Sequence, residues 1–357
     1  MNIPLWSCPP SPEPSPHRAV LKERRSRHPF LFRIEDEYSQ TIVDQERNRI
    51  ATCYSNVLAA EAAIRRHSNN NTDPFQFDIA CEHCKWRSEK PSPYISATRS
   101  PRWAFWECYS RLFQTGKRYR KSDKVRIVIV DASRLTHVED ANAILDTDTV
   151  PTLRRFTNMA QESLVFAIIP ETAILSIVDV KSDVFREAVE RLYPGICTDS
   201  DVVDNSFRDA WKSDVHRWKY STRIGNYGLG RRGAALAVVL LDDVWNLDWT
   251  GYSEDKGNGI LRTTFFLAEQ ILLDKFNFYT EESHQNPDIF HGINDYITET
   301  VEKRQENWHT SHELPVPELD VSISPNATAD DTDIEALVTS LSNVGIHDEP
   351  KGLLVAA

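Results

Sequence analysis

The chain has 357 residues, 40% of them hydrophobic and 26% charged, which is enough apolar material for one large core or two ordinary ones. A formal net charge of −12 excludes broad nucleic-acid binding, which needs basic surface to displace counterions, but leaves room for a local basic pocket around a phosphate-bearing ligand. Six cysteines, at 8, 53, 81, 84, 108 and 197, are too sparse for a disulfide scaffold, and no apolar run reaches the length needed to span a bilayer.

Residues 1–28 hold six prolines and the basic cluster Lys22-Glu23-Arg24-Arg25-Ser26-Arg27, a composition expected of a disordered arm. The first twenty residues lack a basic head followed by an apolar stretch, so the expected location is intracellular, cytoplasmic or nuclear, with reduced thiols and no membrane association. Phe30 to Glu35 reads as a short strand. Ile42, Val43, Ile50, Tyr54, Val57, Leu58, Ala62 and Ile64 recur at roughly helical spacing and predict a helix over 42–67. Ser68 to Pro74 is a loop by composition. Tyr94 to Thr98 reads as a strand, and Pro101 then opens a helix containing Trp103, Phe105, Trp106 and Leu112, proline being favourable in a first turn where its missing N–H has no partner to lose. The run from Val125 to Val130 predicts a strong strand. Leu164 to Ile169 and Ile174 to Val180 predict two more, parted by Pro170-Glu171-Thr172.

Beyond residue 180 the periodicity turns helical, with helices expected over 182–193, 203–219, 233–246, 260–278 and 292–305, and with Trp211, Trp218, Trp245 and Trp249 as large core side chains. This predicts a helical second domain over 181–305 behind a mixed first domain over 29–180. From residue 306 the chain carries ten acidic residues and one lysine and reads as a disordered acidic tail, in which 333–345 could form an amphipathic helix for an unknown protein partner. Gly228-Leu229-Gly230-Arg231-Arg232-Gly233 has dinucleotide-fingerprint spacing but no convincing strand before it, and reads as a flexible interhelical loop. Cys81-Glu82-His83-Cys84 has no second pair at zinc-ribbon distance. It reads as reduced loop cysteines, and no metal site is expected.

Three segments, taken together, carry a chemistry. They are Leu31-Phe32-Arg33, then Tyr94-Ile95-Ser96-Ala97-Thr98 with Ala104 beyond it, and then Ala160-Gln161-Glu162 with Glu162 eight residues before Pro170. Breaking the nicotinamide–ribose bond of NAD develops an oxocarbenium-like sugar, and a carboxylate near that charge in a largely dry site stabilises it. An arginine suits the pyrophosphate through its planar fork of donors, and a serine on a neighbouring strand can orient the carboxylate. In order and flanks, these segments resemble the arginine–serine–glutamate signature of mono-ADP-ribosyltransferases, in the version found in the cholera and heat-labile enterotoxin group. The resemblance covers about residues 29–180, including the strand Arg126-Ile127-Val128-Ile129 and the pair Ile169-Pro170. The chain also resembles an uncharacterised domain common in proteins of filamentous fungi.

The resemblance implies an α+β fold with a split antiparallel sheet and NAD as substrate. Arg33 would bind its phosphate or ribose, with Ser96 and Thr98 as further cofactor contacts. Glu162 would be the catalytic glutamate and Ser96 its support. The chain departs from the pattern at Ala160, where the first acid of Glu-x-Glu is missing, so arginine is expected to be a poor acceptor and Ala160→Glu is expected to raise arginine-directed transfer. It departs also at Ala97 and at Ala167-Ile168, which replaces a pair of glycines. Two functions stay open: an intracellular ADP-ribosyltransferase or NAD glycohydrolase, and a degenerate domain that keeps the fold as a binding or scaffold module.

Overall fold

Two antiparallel sheets organise the first half of the chain in the computed structural model, which describes residues 29–39, 42–44, 49–51, 57–70, 73–85, 92–113, 122–145, 150–194, 196, 225–245, 254–276 and 287–311. The larger sheet has six strands in the spatial order β6 (Val138–Asp140), β7 (Glu162–Phe166), β4 (Tyr94–Thr98), β1 (Phe30–Glu35), β5 (Arg126–Asp131) and β9 (Ile174–Asp179). The smaller has β2 (Ile42–Asp44), β3 (Arg49–Ala51) and β8 (Ile168–Ile169). With the helices that follow, this is an α+β architecture.

The helix expected over 42–67 is corrected at its start. Residues 42–44 and 49–51 are strands, and helix α1 runs only over Val57–Asn70. Ile50 and Ala51 pair on one side with Val43 and Ile42 in a local hairpin and on the other with Ile169 and Ile168, far along the chain, and local periodicity carries no trace of that second pairing. The strand expected over 164–169 is likewise two strands. Ala167 separates them at φ 64, and its N–H donates to Pro93 O at 2.7 Å. At that residue the chain leaves the larger sheet for the smaller one, in a backbone conformation that glycine would adopt without strain.

Alternation sorts the core between the two faces of the sheet. Leu31, Ile95, Ala97, Val128, Val130 and Val165 pack together with Ile169 and Ala173. Tyr94, Leu164 and Phe166 join Ala60 of α1 and Ala80, Cys81 and Cys84 of helix α2 (Phe77–Cys84) in a second cluster. Helix α3 (Pro101–Phe113) is buried at every position from Pro101 to Ser110. Ser100 caps it, its Oγ accepting the Trp103 N–H at 3.1 Å. Phe105 is fully buried among the rings of Phe32, Phe185 and Tyr193.

Beyond β9 the described chain is helical: α6 (Asp183–Leu192), α7 (Asn226–Leu240), α8 (Asp242–Trp245), α9 (Glu254–Phe276) and α10 (Pro287–Ser311), numbered after the short α4 (Ala141–Ile144) and α5 (Pro151–Ala160) of the first half. Trp245 is fully buried and donates to Thr264 Oγ1 at 3.1 Å. Asp243 covers the edge strand β9, accepting Ser176 Oγ at 3.1 Å and the Ile177 N–H at 3.0 Å. The glycine-rich segment 228–233 is not a loop but the first part of α7. A Cβ on Gly230 would stand 2.1 Å from Ile289 O, and one on Gly292 would stand 2.2 Å from Tyr227 O, so α7 and α10 meet backbone to backbone. The chain divides at Glu299–Thr300 into two units, and every sheet and site below belongs to the first. The expected arm 1–28, the helix 203–219, Trp211, Trp218, Trp249 and the tail beyond Ser311 lie outside the described residues.

Candidate functional site

The three central neighbours β7, β4 and β1 carry Glu162, Ser96 and Arg33. The β4–β7 register sets Thr98 against Glu162 and Ser96 against Leu164, so Ser96, Thr98 and Glu162 project from one face. Ser96 is the diagonal neighbour of Glu162, within reach for short side chains. Its hydroxyl donates to Glu162 Oε1 at 2.6 Å. The register of β1 against β4 is set at Phe32 and Thr98, and one residue on, Arg33 Nη1 donates to Ser96 O at 2.9 Å. The structure thus brings Arg33, Ser96 and Glu162 together around Ser96, each of them half-buried.

Glu162 is aimed by the junction before it. Helix α5 ends at Ala160, and Gln161 follows in the left-handed region at φ 47. The Arg99 N–H holds the Gln161 carbonyl at 3.1 Å. Thr98, expected as a cofactor contact, directs its hydroxyl to backbone: it donates to Ala160 O and accepts the Ser100 N–H at 2.9 Å. Its observed contacts secure the turn into β7. Ala160 is a buried helix end with 4% exposure, so a longer side chain at this position would meet protein rather than solvent.

Two further residues come from α2, where a loop was expected. His83 Nε2 lies 2.8 Å from Ser96 Oγ, with its ring edge-on to Tyr94 at 5.8 Å. The Cys84 thiol lies within the electrostatic reach of the Glu162 carboxylate, which favours its protonated form. The signal was present in the sequence: Phe77, Ala80, Cys81 and Cys84 follow the i, i+3, i+4, i+7 pattern of a helix face. Among the described residues no group of three His, Cys, Asp or Glu side chains is placed to hold a metal ion.

The electrostatics follow from burial. Desolvation pushes the Glu162 carboxyl up to about 6, against the opposing pull of the Ser96 hydrogen bond and the Arg33 charge. Burial, with Arg33 nearby, pushes His83 down to about 4, so the imidazole is neutral at physiological pH. Desolvation also lowers Arg33 from its ordinary value, while Glu35, Asp36 and Glu162 favour its charge. Behind it lies a shell of ion pairs: Arg126 meets Glu35 at 3.2 Å, and Arg111 bridges Asp36 and Glu107 at 3.0 Å each. Burial raises the Cys84 thiol, and Glu162 adds to it, so this cysteine is a neutral thiol rather than a nucleophile. The result is an oriented carboxylate within electrostatic reach of a partly desolvated cation, an arrangement suited to stabilising positive charge at one point and holding an anion at another.

Residues 26–183 match a family model described as a domain of unknown function, DUF7587. No curated protein and no solved structure gives a significant match. Among the described residues no helix is long and apolar enough to cross a membrane.

Proposed function

We propose that this protein cleaves the nicotinamide–ribose bond of NAD and passes the ADP-ribosyl group to an acceptor or to water. The carrying observation is the hydrogen bond from Ser96 to Glu162, made while Arg33 holds the Ser96 carbonyl. In this reading Arg33 binds the pyrophosphate or ribose, Ser96 orients the glutamate, and the Glu162 carboxylate stabilises the positive charge that develops on the ribose as nicotinamide departs with the bonding electron pair. Water or an acceptor nucleophile then attacks the anomeric carbon and loses its proton. Thr98 acts on the backbone around Glu162. Cys81, Cys84 and Cys108 are buried free thiols, in keeping with a protein at work in a reducing compartment.

A second reading is a module that binds without turnover. Two observations favour it: Arg33 Nη1 is directed inward to a backbone carbonyl, and Ala160 leaves Glu162 without its partner acid.

Calorimetry with NAD, together with assay of nicotinamide release, tests both. Glu162→Gln is expected to leave binding within about twofold and reduce turnover by about a hundredfold or more, because the carboxylate acts on charge present only in the transition state. Arg33→Ala is expected to weaken binding. Binding without release by wild type favours the second reading, and a wild type that neither binds nor releases refutes both NAD readings.

A further inference from the structure

One turn of α9 reaches the ends of all three strands that carry Arg33, Ser96 and Glu162. Gln270 and Asp274 are four residues apart and share a helix face, and both are buried. Gln270 Nε2 donates to Phe30 O, at the start of β1, at 3.0 Å, and to Arg99 O, directly after β4, at 2.8 Å. With two carbonyls in front of it, the amide is fixed with its NH2 group toward them. Asp274 Oδ2 accepts Ser100 Oγ at 2.8 Å and the Arg102 N–H at 3.0 Å, with Arg102 Nε at 4.0 Å. Its other oxygen, Oδ1, accepts Gln161 Nε2 at 3.3 Å, and Gln161 is the residue directly before Glu162. That residue holds a positive φ, a conformation that a non-glycine residue keeps only when its surroundings over-determine it.

We propose that Gln270 and Asp274 are positioning residues of the site, registering the ends of β1, β4 and β7 against one another so that Arg33, Ser96 and Glu162 meet. The role of α9 in turnover rests on the NAD reading above, whereas its role in geometry does not. A purely structural network would lower stability when cut and leave the site unchanged once the protein had folded. A positioning network alters the site in the folded protein, where a shift of about 1 Å is enough to cost about a hundredfold in rate.

The experiment uses the full chain as wild type, Gln270→Ala, Gln161→Met and Asp274→Asn, with Asp243→Asn on α8 as a control that cuts a comparable contact to β9. Each is followed by thermal unfolding, by carbon-13 titration of the Glu162 carboxyl, and by nicotinamide release from NAD. The expected result is that folded Gln270→Ala and Gln161→Met displace the Glu162 midpoint by about half a unit or more. Their turnover falls about tenfold or more, with the Kd for NAD within about twofold of wild type in Gln161→Met, which leaves β1 untouched, and weakened in Gln270→Ala, which frees the strand of Arg33. Asp243→Asn loses stability without moving the midpoint. Should Asp274→Asn fail to fold, the other two variants decide, since each removes fewer contacts. Folded Gln270→Ala and Gln161→Met with the wild-type midpoint overturn the proposal. A wild type inert toward NAD refutes the enzymatic reading alone, because the titration still reports on the geometry.

Discussion

His83 Nε2 lies 2.8 Å from Ser96 Oγ, and Ser96 has already given its one proton to Glu162. The imidazole must therefore be the donor. At neutral pH it carries its proton on Nε2, and a directed chain runs from His83 through Ser96 to the Glu162 carboxylate. Nitrogen-15 spectra are expected to show the neutral Nε2–H form from about pH 7 upward, where the Glu162 carboxyl is ionised, and ring protonation with a midpoint near 4. An Nδ1–H form at pH 8 would reverse the chain and contradict this assignment.

Glu162 and His83 make opposite contributions to the pH dependence of stability. The folded Glu162 carboxyl is raised from 4.5 to about 6, so the native state binds more protons than the unfolded state in that window, and its contribution falls as pH rises through it. His83 is lowered from 6.5 to about 4, so its neutral form favours folding, and its contribution is lost as pH falls through that window. Glu162→Gln is expected to gain about 1–2 kcal/mol at pH 8, the remaining exposure of the residue holding it to the lower end, and to gain almost nothing at pH 4. Denaturant unfolding at the two pH values measures the difference.

Ala160→Glu is expected to destabilise rather than restore an acid. The side chain at 160 is buried at the end of α5, and its carbonyl is taken by Thr98. An unpaired carboxylate there costs about 2–4 kcal/mol. A lower Tm with no gain in transfer to arginine is the expected outcome, which reverses the expectation drawn from the sequence.

Phe105→Ala removes a fully buried ring from among Phe32, Phe185 and Tyr193 and is expected to cost about 3–5 kcal/mol in chemical denaturation. Because it joins the sheet to α6, the loss should appear as one cooperative transition.

Gly230→Ala tests the contact between α7 and α10. Its Cβ would meet the backbone oxygen of Ile289, which cannot rotate away as a side chain could, so the helices must part at a cost of about 1–3 kcal/mol. A Gly230→Ala variant as stable as wild type would place the reason for this glycine elsewhere.

What could be read ahead of the structure was local. The strands 30–35, 94–98 and 174–179 declare themselves through β-branched and aromatic residues, and α3 through its first-turn proline. What escaped depended on distant partners. Residues 42–51 have helical spacing, yet 49–51 is a strand held between its hairpin partner 42–44 and β8, which lies more than a hundred residues away. His83 gained its meaning only when β4 was laid beside α2. Asp274 did leave a trace: Leu267, Ile271 and Asp274 fall at i, i+4 and i+7, so a charge sits on the apolar stripe of a helix. A buried acid in that place implies partners, but one sequence does not name them.

Phe30 and Gln270 are 240 residues apart in the chain, and their hydrogen bond sets the order in which the molecule can be completed. On a ribosome β1, β4 and β7 emerge well before α9 does, so the nascent chain passes through a stage with Arg33, Ser96 and Glu162 made and their tie not yet synthesised. Closure over such a separation is slow, and it exposes strand edges and apolar faces to wrong pairings while it is pending. A fragment ending at residue 183, where the family match ends, is held permanently at that stage.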